Sequence, residues 1–185
     1  MLADDFKPNR LEVVKKTASE FVRMRDQDRI GILVFARESF IQCPLTVDKD
    51  VLINLIKEIV VISKEYDGTA IGMAIANATN RLKNTNVKSR VMILLSDGSN
   101  NSGEINPITA SDLAAQFNIK IYTIGAGTNE SYTRIPGRGL IKNEIDEETL
   151  KIIAKKTGGR YFRAHDEETL QTIYKEIDEL EKSEI

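Results

Sequence analysis

Apolar residues recur along the chain in two rhythms, a spacing of three to four positions and short near-continuous runs, and their alternation predicts the order of elements. Leu11, Val14, Ala18, Phe21 and Val22 fall on one stripe of a helix that Asn9 can cap and that runs to about Arg25. After the polar turn DQD, the run IGILVFA at 30–36 is short, branched and bounded by turn residues, as in a strand covered on both faces. A second strand, about Ser39–Gln42, follows so closely that the two predict an antiparallel hairpin, which Pro44 ends. Helical spacing returns over Asp48–Ser63 and again over Thr69–Leu82, with the loop KEYDGT between them. VMILLSDG at 91–98 is the most hydrophobic strand and stops abruptly at a carboxylate and a glycine. Asn106 and Pro107 read as N-cap and first residue of a helix reaching about Phe117, and IKIYTIGAG at 119–127 reads as another strand. TNESYTRIPGRGLIKNEI, at 128–145, holds little core material and predicts a surface hairpin. Asp146 caps the helix DEETLKIIAKK, which Gly158 and Gly159 end; RYFRA at 160–164 is a last short strand. Asp166 to about Lys182 closes the chain with Leu170, Ile173, Tyr174, Ile177 and Leu180 on one face, and the terminal ELEKSEI is expected to fray.

Strands alternating with helices imply parallel crossovers, so the fold class is α/β: a mostly parallel, doubly wound, Rossmann-like sheet with helices on both faces and one antiparallel edge hairpin. Neither an internal repeat nor a low-complexity linker divides it, and residues 1–185 read as one domain. Binding sites in such sheets form beyond the carboxyl ends of the strands, which directs attention to Asp97 and its neighbours. A carboxylate in that position is either a ligand or a cap for the next turn. Thr69, opening a helix after Asp67 and Gly68, could equally be only an N-cap.

Composition narrows the chemistry. Lys and Arg total 26 against 28 Asp and Glu, a net charge of -2, which gives no field for phosphate-backbone binding; nucleic acid is not an expected partner. No stretch reaches the roughly 18 apolar residues of a bilayer span, and MLADDFKPNR lacks the apolar run of a secretion signal, so these residues are expected to be soluble. The single cysteine, Cys43, excludes an intramolecular disulfide and reads as a small core residue, while the single histidine, His165, reads as a surface residue. The glycine pair of GAGTNE lacks the third glycine and the following helix of a dinucleotide fingerprint. No G-x-S-x-G elbow, Walker loop or H-E-x-x-H helix occurs, and nothing argues for an enzyme.

Taken in order, ADDFKPNRLEVVKK, DRIGILVFA with SFIQCPLT, DGTAIGMAIANATNRLK, RVMILLSDGSNNSGEINP and IKIYTIGAGT resemble the von Willebrand factor type A (VWA) domain, and within it the bacterial aerotolerance (Bat) membrane proteins. The resemblance covers nearly the whole chain. It implies a metal-ion-dependent adhesion site (MIDAS) that holds Mg²⁺ or Mn²⁺ at the carboxyl end of the sheet, built from an Asp-x-Ser-x-Ser run, one Thr and one Asp. Thr69 matches that threonine and Asp97 that aspartate. A hard cation seeks about six oxygens, and a partner protein's acidic residue can complete the shell. The Asp-x-Ser-x-Ser run and the family's first central strand are absent here, as though the chain were truncated before Met1. Metal binding by these residues alone is therefore expected to be weak or absent. The strand missing between IGILVFA and VMILLSD is expected either to be compensated by a rearranged sheet or to invite self-association. Asp4 and Asp5 read as a solvated acidic turn, although some relatives place an adjacent metal site nearby. Ser99, Asn100, Asn101 and Ser102 line the rim or form only a turn.

The functional expectation is a protein-binding module of a membrane-anchored Bat-like protein, with the domain facing the periplasm, the preferred side, or the cytoplasm. The alternatives are a metal-independent scaffold and, less favoured, a phosphohydrolase-type α/β enzyme using Asp97, which would need a second carboxylate and a phosphate-cradling loop.

Overall fold

The computed structural model describes residues 1, 3, 5–61, 68–128, 132–135, 139–142 and 145–183, the two segments 132–135 and 139–142 through their backbone. Helix α1, Arg10–Met24, starts where Asn9 accepts a hydrogen bond from the Glu12 N–H at 3.0 Å. Its buried face is Arg10, Val13, Thr17, Ser19 and Val22, rotated from the predicted stripe. The polar members fit because their hydroxyls bond backward along the helix, Thr17 to the Val13 carbonyl at 2.9 Å and Ser19 to that of Lys15 at 2.7 Å.

Strands β1, Ile30–Phe35, and β2, Ser39–Thr46, form the expected antiparallel hairpin. Pro44 does not end β2, however. The register steps from Ile32 opposite Cys43 to Ile30 opposite Thr46, so Pro44 lies in a bulge where its missing N–H leaves no ladder bond unmade. Helix α2, Lys49–Lys57, begins at an Asp48 cap and ends before the predicted Ser63, with Val60 and Val61 exposed beyond it; Ser63 lies outside the described residues. Helix α3 spans Ile71–Leu82, beginning two residues after Thr69. Next come β3, Arg90–Ser96, α4, Pro107–Gln116, and β4, Ile119–Ala126, with Asn106 capping α4 as read from the sequence. Strands β5, Tyr132–Ile135, and β6, Gly139–Lys142, pair antiparallel within the glycine-containing stretch. Helix α5, Glu147–Lys156, strand β7, Tyr161–Ala164, and helix α6, Glu167–Ser183, complete the chain.

The central sheet is parallel, in the order β3-β4-β7. On β4 the side chains alternate between two cores. Tyr122 and Ile124 meet Val13 of α1 and Leu170, Ile173 and Tyr174 of α6, while Ile119 and Ile121 meet Ile71 and Ile75 of α3, Ala114 of α4 and Leu150 of α5. A third cluster, Val22, Leu52, Ile53 and Ile56 with the buried Cys43, lies under the hairpin. At the amino end of the sheet, Glu181 of α6 accepts hydrogen bonds from Tyr122 (2.7 Å), Lys120 (3.1 Å) and Ser89 (3.2 Å), which anchors the last helix.

Among the described residues β1 pairs only with β2, and β3 pairs on one side only, with β4. Among the described residues the hairpin does not pair with β3, so the sheet has not rearranged to join β1 to β3. The open edges show in burial. Ile32, Leu33, Val34 and Phe35 of β1 and Val91, Met92, Ile93 and Leu95 of β3 are only partly buried, whereas on β4 every side chain except Lys120 is buried.

Candidate functional site

The parallel register sets Ser96 beside Gly125 and Ala126 beside Ala164, so β3, β4 and β7 deliver Asp97, Gly127 and His165 to one rim. His165 points to solvent there, 62% exposed, and stands 3.7 Å from Asp166 Oδ2. Asp97 is partly buried, with 21% of its side chain exposed.

Thr69 reaches the same rim from the other side. Its Oγ1 lies 3.1 Å from where a Cβ would stand on Gly98, so the hydroxyl packs against the residue that follows Asp97. Thr69 is not the cap of α3: that position belongs to Ala70, which has no side-chain oxygen. The cap arrives from the loop after β3 instead. Asn100 Oδ1 accepts from the Ile71 N–H at 2.8 Å, and Asn101 Oδ1 accepts from the Thr69 N–H at 2.8 Å. The Asn101 N–H returns a bond to the Thr69 carbonyl at 3.1 Å, and the Ala70 N–H bonds the Ala36 carbonyl at 2.7 Å. The four polar residues after Gly98 thus include two amides that weld the loop to α3, and the Thr69 hydroxyl is left out of the capping work. Beside them Arg37, Gly68, Asn101, Ser102 and Gly103 line an open polar cavity of about 430 Å³.

Asp97 has partners that the sequence did not suggest. Arg10, at the first position of α1, is completely buried; its Nη1 donates to Asp97 Oδ2 at 3.3 Å, and the Met1 amino group also meets that oxygen. The rest of the guanidinium forks onto Asp5, Nε to Oδ1 at 2.8 Å and Nη2 to Oδ2 at 2.6 Å. Asp5 Oδ2 accepts further from the Thr128 N–H at 2.9 Å and its hydroxyl at 3.3 Å. Asp5 is therefore not a solvated turn residue but the anchor of a buried ion pair; Asp4 lies outside the described residues. Burial pushes the Asp5 carboxyl up, yet the bonds from Arg10 and Thr128 and the Arg10 charge outweigh that and hold it below the usual carboxylate range. Burial likewise works against the Arg10 charge, but the bond and charge of Asp5, then those of Asp97, prevail and raise its pKa. Arg10 left no trace in the apolar pattern, because its burial depends on a turn at Thr128, 123 residues away from Asp5.

These residues do not by themselves fit a complete Mg²⁺ or Mn²⁺ site. They offer one hydroxyl and one carboxylate, the carboxylate is already bonded to a guanidinium, and the described residues contain no group of three or more acidic, histidine or cysteine side chains able to hold a metal.

A doubly wound α/β fold with a hydroxyl and a carboxylate brought to one rim defines the class, and comparison with known proteins names the family. The sequence model of the von Willebrand factor type A domain matches residues 1–176, and the chain belongs to that family. Among solved structures it is similar to BatB from Bacteroides thetaiotaomicron, at 32% identity and a TM-score of 0.82, over 98% of this chain and 93% of that one. It is also similar to an aerotolerance-related membrane protein from Bacteroides fragilis, at 28% identity and a TM-score of 0.82, over 97% and 91% of the two chains. An uncharacterized protein of Borreliella burgdorferi is 30% identical over 95% of this chain, and a UPF0353 protein of Mycolicibacterium paratuberculosis is 28% identical over 96%. The chain covers 53% and 56% of those two relatives, about half their length. Among the described residues no helix is long and apolar enough to cross a membrane.

Proposed function

We propose that this VWA domain is the protein-binding module of a Bat-like membrane protein and engages an acidic side chain of its partner through a divalent cation at the rim of the sheet. Thr69 and Asp97 are two of the cation's ligands in this reading. In this reading the remaining ligands are not among the described residues, and one of them is the partner's acidic side chain. The observation that carries the reading is the packing of the Thr69 hydroxyl on Gly98, beside Asp97, while the amides of Asn100 and Asn101 do the capping that would otherwise explain a threonine there.

The domain acts by binding and not by turnover. Among the described residues no base or phosphate-cradling loop stands beside Thr69 and Asp97, so the pair forms no acid–base couple. The membrane association follows the Bacteroides fragilis relative, named as a membrane protein, and the periplasm is the proposed side. The ion pair between Arg10 and Asp97 favours a second reading, a metal-independent scaffold, since it satisfies the carboxylate without a cation.

Calorimetric titration of Mg²⁺ and Mn²⁺ into the domain extended by its native upstream sequence separates the two. Binding that Thr69→Ala and Asp97→Ala each weaken supports the adhesion reading. Absence of binding in the extended domain supports the scaffold.

A further inference from the structure

The open cavity beside the start of α3 is assembled from three separated stretches: Arg37 in the turn between β1 and β2, Gly68 before α3, and residues 101–103 after β3. Backbone bonds tie the three together. The Ala70 N–H reaches the carbonyl of Ala36, next to Arg37, at 2.7 Å, and Thr69 and Asn101 exchange two bonds. Gly68, at φ +149°, is the seam, since a Cβ there would stand 2.3 Å from Ser102 Oγ and 3.3 Å from Arg37 Cα. A Cβ on Gly103, at φ +87°, would stand 2.8 Å from Met73 Cγ of α3. The walls are therefore held against one another by close backbone contact. Their chemistry is one-sided. Arg10, Arg25, Arg160 and Arg163 each meet a carboxylate, whereas Arg37 has no hydrogen-bond or ion-pair partner among the described residues. Asn101 Oδ1 accepts from the Thr69 N–H at 2.8 Å and the Ser102 hydroxyl at 3.1 Å, which leaves its Nδ2 donors without a partner among those residues. The lining holds no acid; Glu38 and Glu104, next in sequence to two of its members, are exposed and outside it.

We infer that this cavity is an anion subsite in which the Arg37 guanidinium receives a carboxylate, an Asp or Glu side chain of the partner protein. A guanidinium and an amide NH₂ on one open wall are donors without an acceptor charge, and the planar fork of an arginine matches a carboxylate. A carboxylate suits the cavity better than a phosphate. One guanidinium balances one negative charge, and the N–H groups at the start of α3 that would otherwise gather a phosphate are already bonded to Asn101, Ala36 and Asn100. The net charge of -2 gives no wider field for a polyanion. At about 430 Å³ the cavity has room for the whole acidic side chain and some of the backbone beside it. The inference rests on the proposed function in taking an acidic protein segment as the partner, but no cation enters it: here the charge is recognised by the chain's own guanidinium.

The test is a heteronuclear NMR titration of the protein, in EDTA, with the peptide acetyl-Gly-Glu-Gly-Asp-Gly-amide and with its neutral counterpart carrying Gln and Asn. The acidic peptide is expected to shift the amides of Gly68, Ser102 and Gly103 with a Kd of about 1 mM, and the neutral one to leave them in place. Arg37→Gln is expected to weaken binding at least about tenfold, and Arg37→Lys, which keeps the charge and loses the fork, about threefold. Arg81→Gln, the same change of charge in the last turn of α3, is expected to stay within about twofold of wild type. Arg37 is exposed, so its variants are expected to melt with wild type. Equal losses in Arg37→Gln and Arg81→Gln would reduce the effect to net charge and overturn the inference. Equal binding of the neutral peptide, or no shift of these amides at about 10 mM acidic peptide, overturns it as well. Inorganic phosphate that shifts the same amides with an affinity about tenfold above that of the peptide overturns the choice of a carboxylate. Because EDTA removes divalent ions, peptide binding here and Mg²⁺ binding by the extended domain fail or succeed separately.

Discussion

At the scale of single residues the structure separates two glycines that look alike in the sequence. Gly127 has φ +140° and backs directly onto the Arg10 guanidinium, whereas Gly158 has φ +74° with nothing within 4 Å of a would-be Cβ. Gly127→Ala should therefore combine backbone strain with a clash against a buried ion pair and cost more than about 2 kcal/mol in urea unfolding. Gly158→Ala should cost about 1 kcal/mol, the left-handed penalty alone. Equal costs at the two positions would mean that the Arg10 pocket is loose. Asp97 was legible beforehand because it ends an apolar run, and a carboxylate at a strand exit is conspicuous. Arg10 was not, since one charged residue just inside a helix ordinarily lies in solvent, and its contacts with Asp97, 87 residues away, and with Gly127 are made by the fold.

At the scale of elements, the start of α3 distinguishes a capping residue from a site residue. Asn100→Ala removes the acceptor of the Ile71 N–H and should cost about 1 kcal/mol by urea denaturation. Thr69→Ala removes a hydroxyl that caps nothing and should stay within about 0.5 kcal/mol of wild type. A larger loss for Thr69→Ala than for Asn100→Ala would return Thr69 to a structural role. Hydrophobic period placed the helices and the parallel strands, because both faces of the sheet are covered and burial follows the pattern directly. It failed at β2, where Pro44 signals a stop but a bulge absorbs it, and at the end of α2, where the apolar spacing runs on past the last helical residue into the exposed Val60 and Val61. The trans-acting cap of α3 was hidden because Asn100 lies 29 residues beyond the N–H it satisfies, a pairing that only the fold creates.

For the whole molecule, the C-terminal half of α6 is anchored twice, by Glu181 against β4 and by Asp178 against Arg25 at the end of α1. Burial pushes the Asp178 carboxyl up, but hydrogen bonds from Lys182 and Arg25 and their charges outweigh this and hold it below its ordinary 3.8. A carboxyl lowered on folding contributes stability that is complete above its unfolded pKa and is lost as pH falls through the folded one. Asp178→Asn should thus melt below wild type at neutral pH, with the gap closing below pH 3.8; a gap that persists or widens there would contradict the assignment. The unpaired sides of β1 and β3 make a second prediction. Sedimentation velocity should show association that grows with concentration, as open apolar strand edges recruit each other, and a monomer at all concentrations would show that the edges are protected. Most direct for the functional account is Mg²⁺ titration of the domain extended by its native upstream sequence. The account predicts saturable binding that Thr69→Ala and Asp97→Ala each weaken by at least about tenfold while the melting curve of the metal-free Thr69→Ala protein is unchanged. Binding indifferent to both substitutions would contradict it.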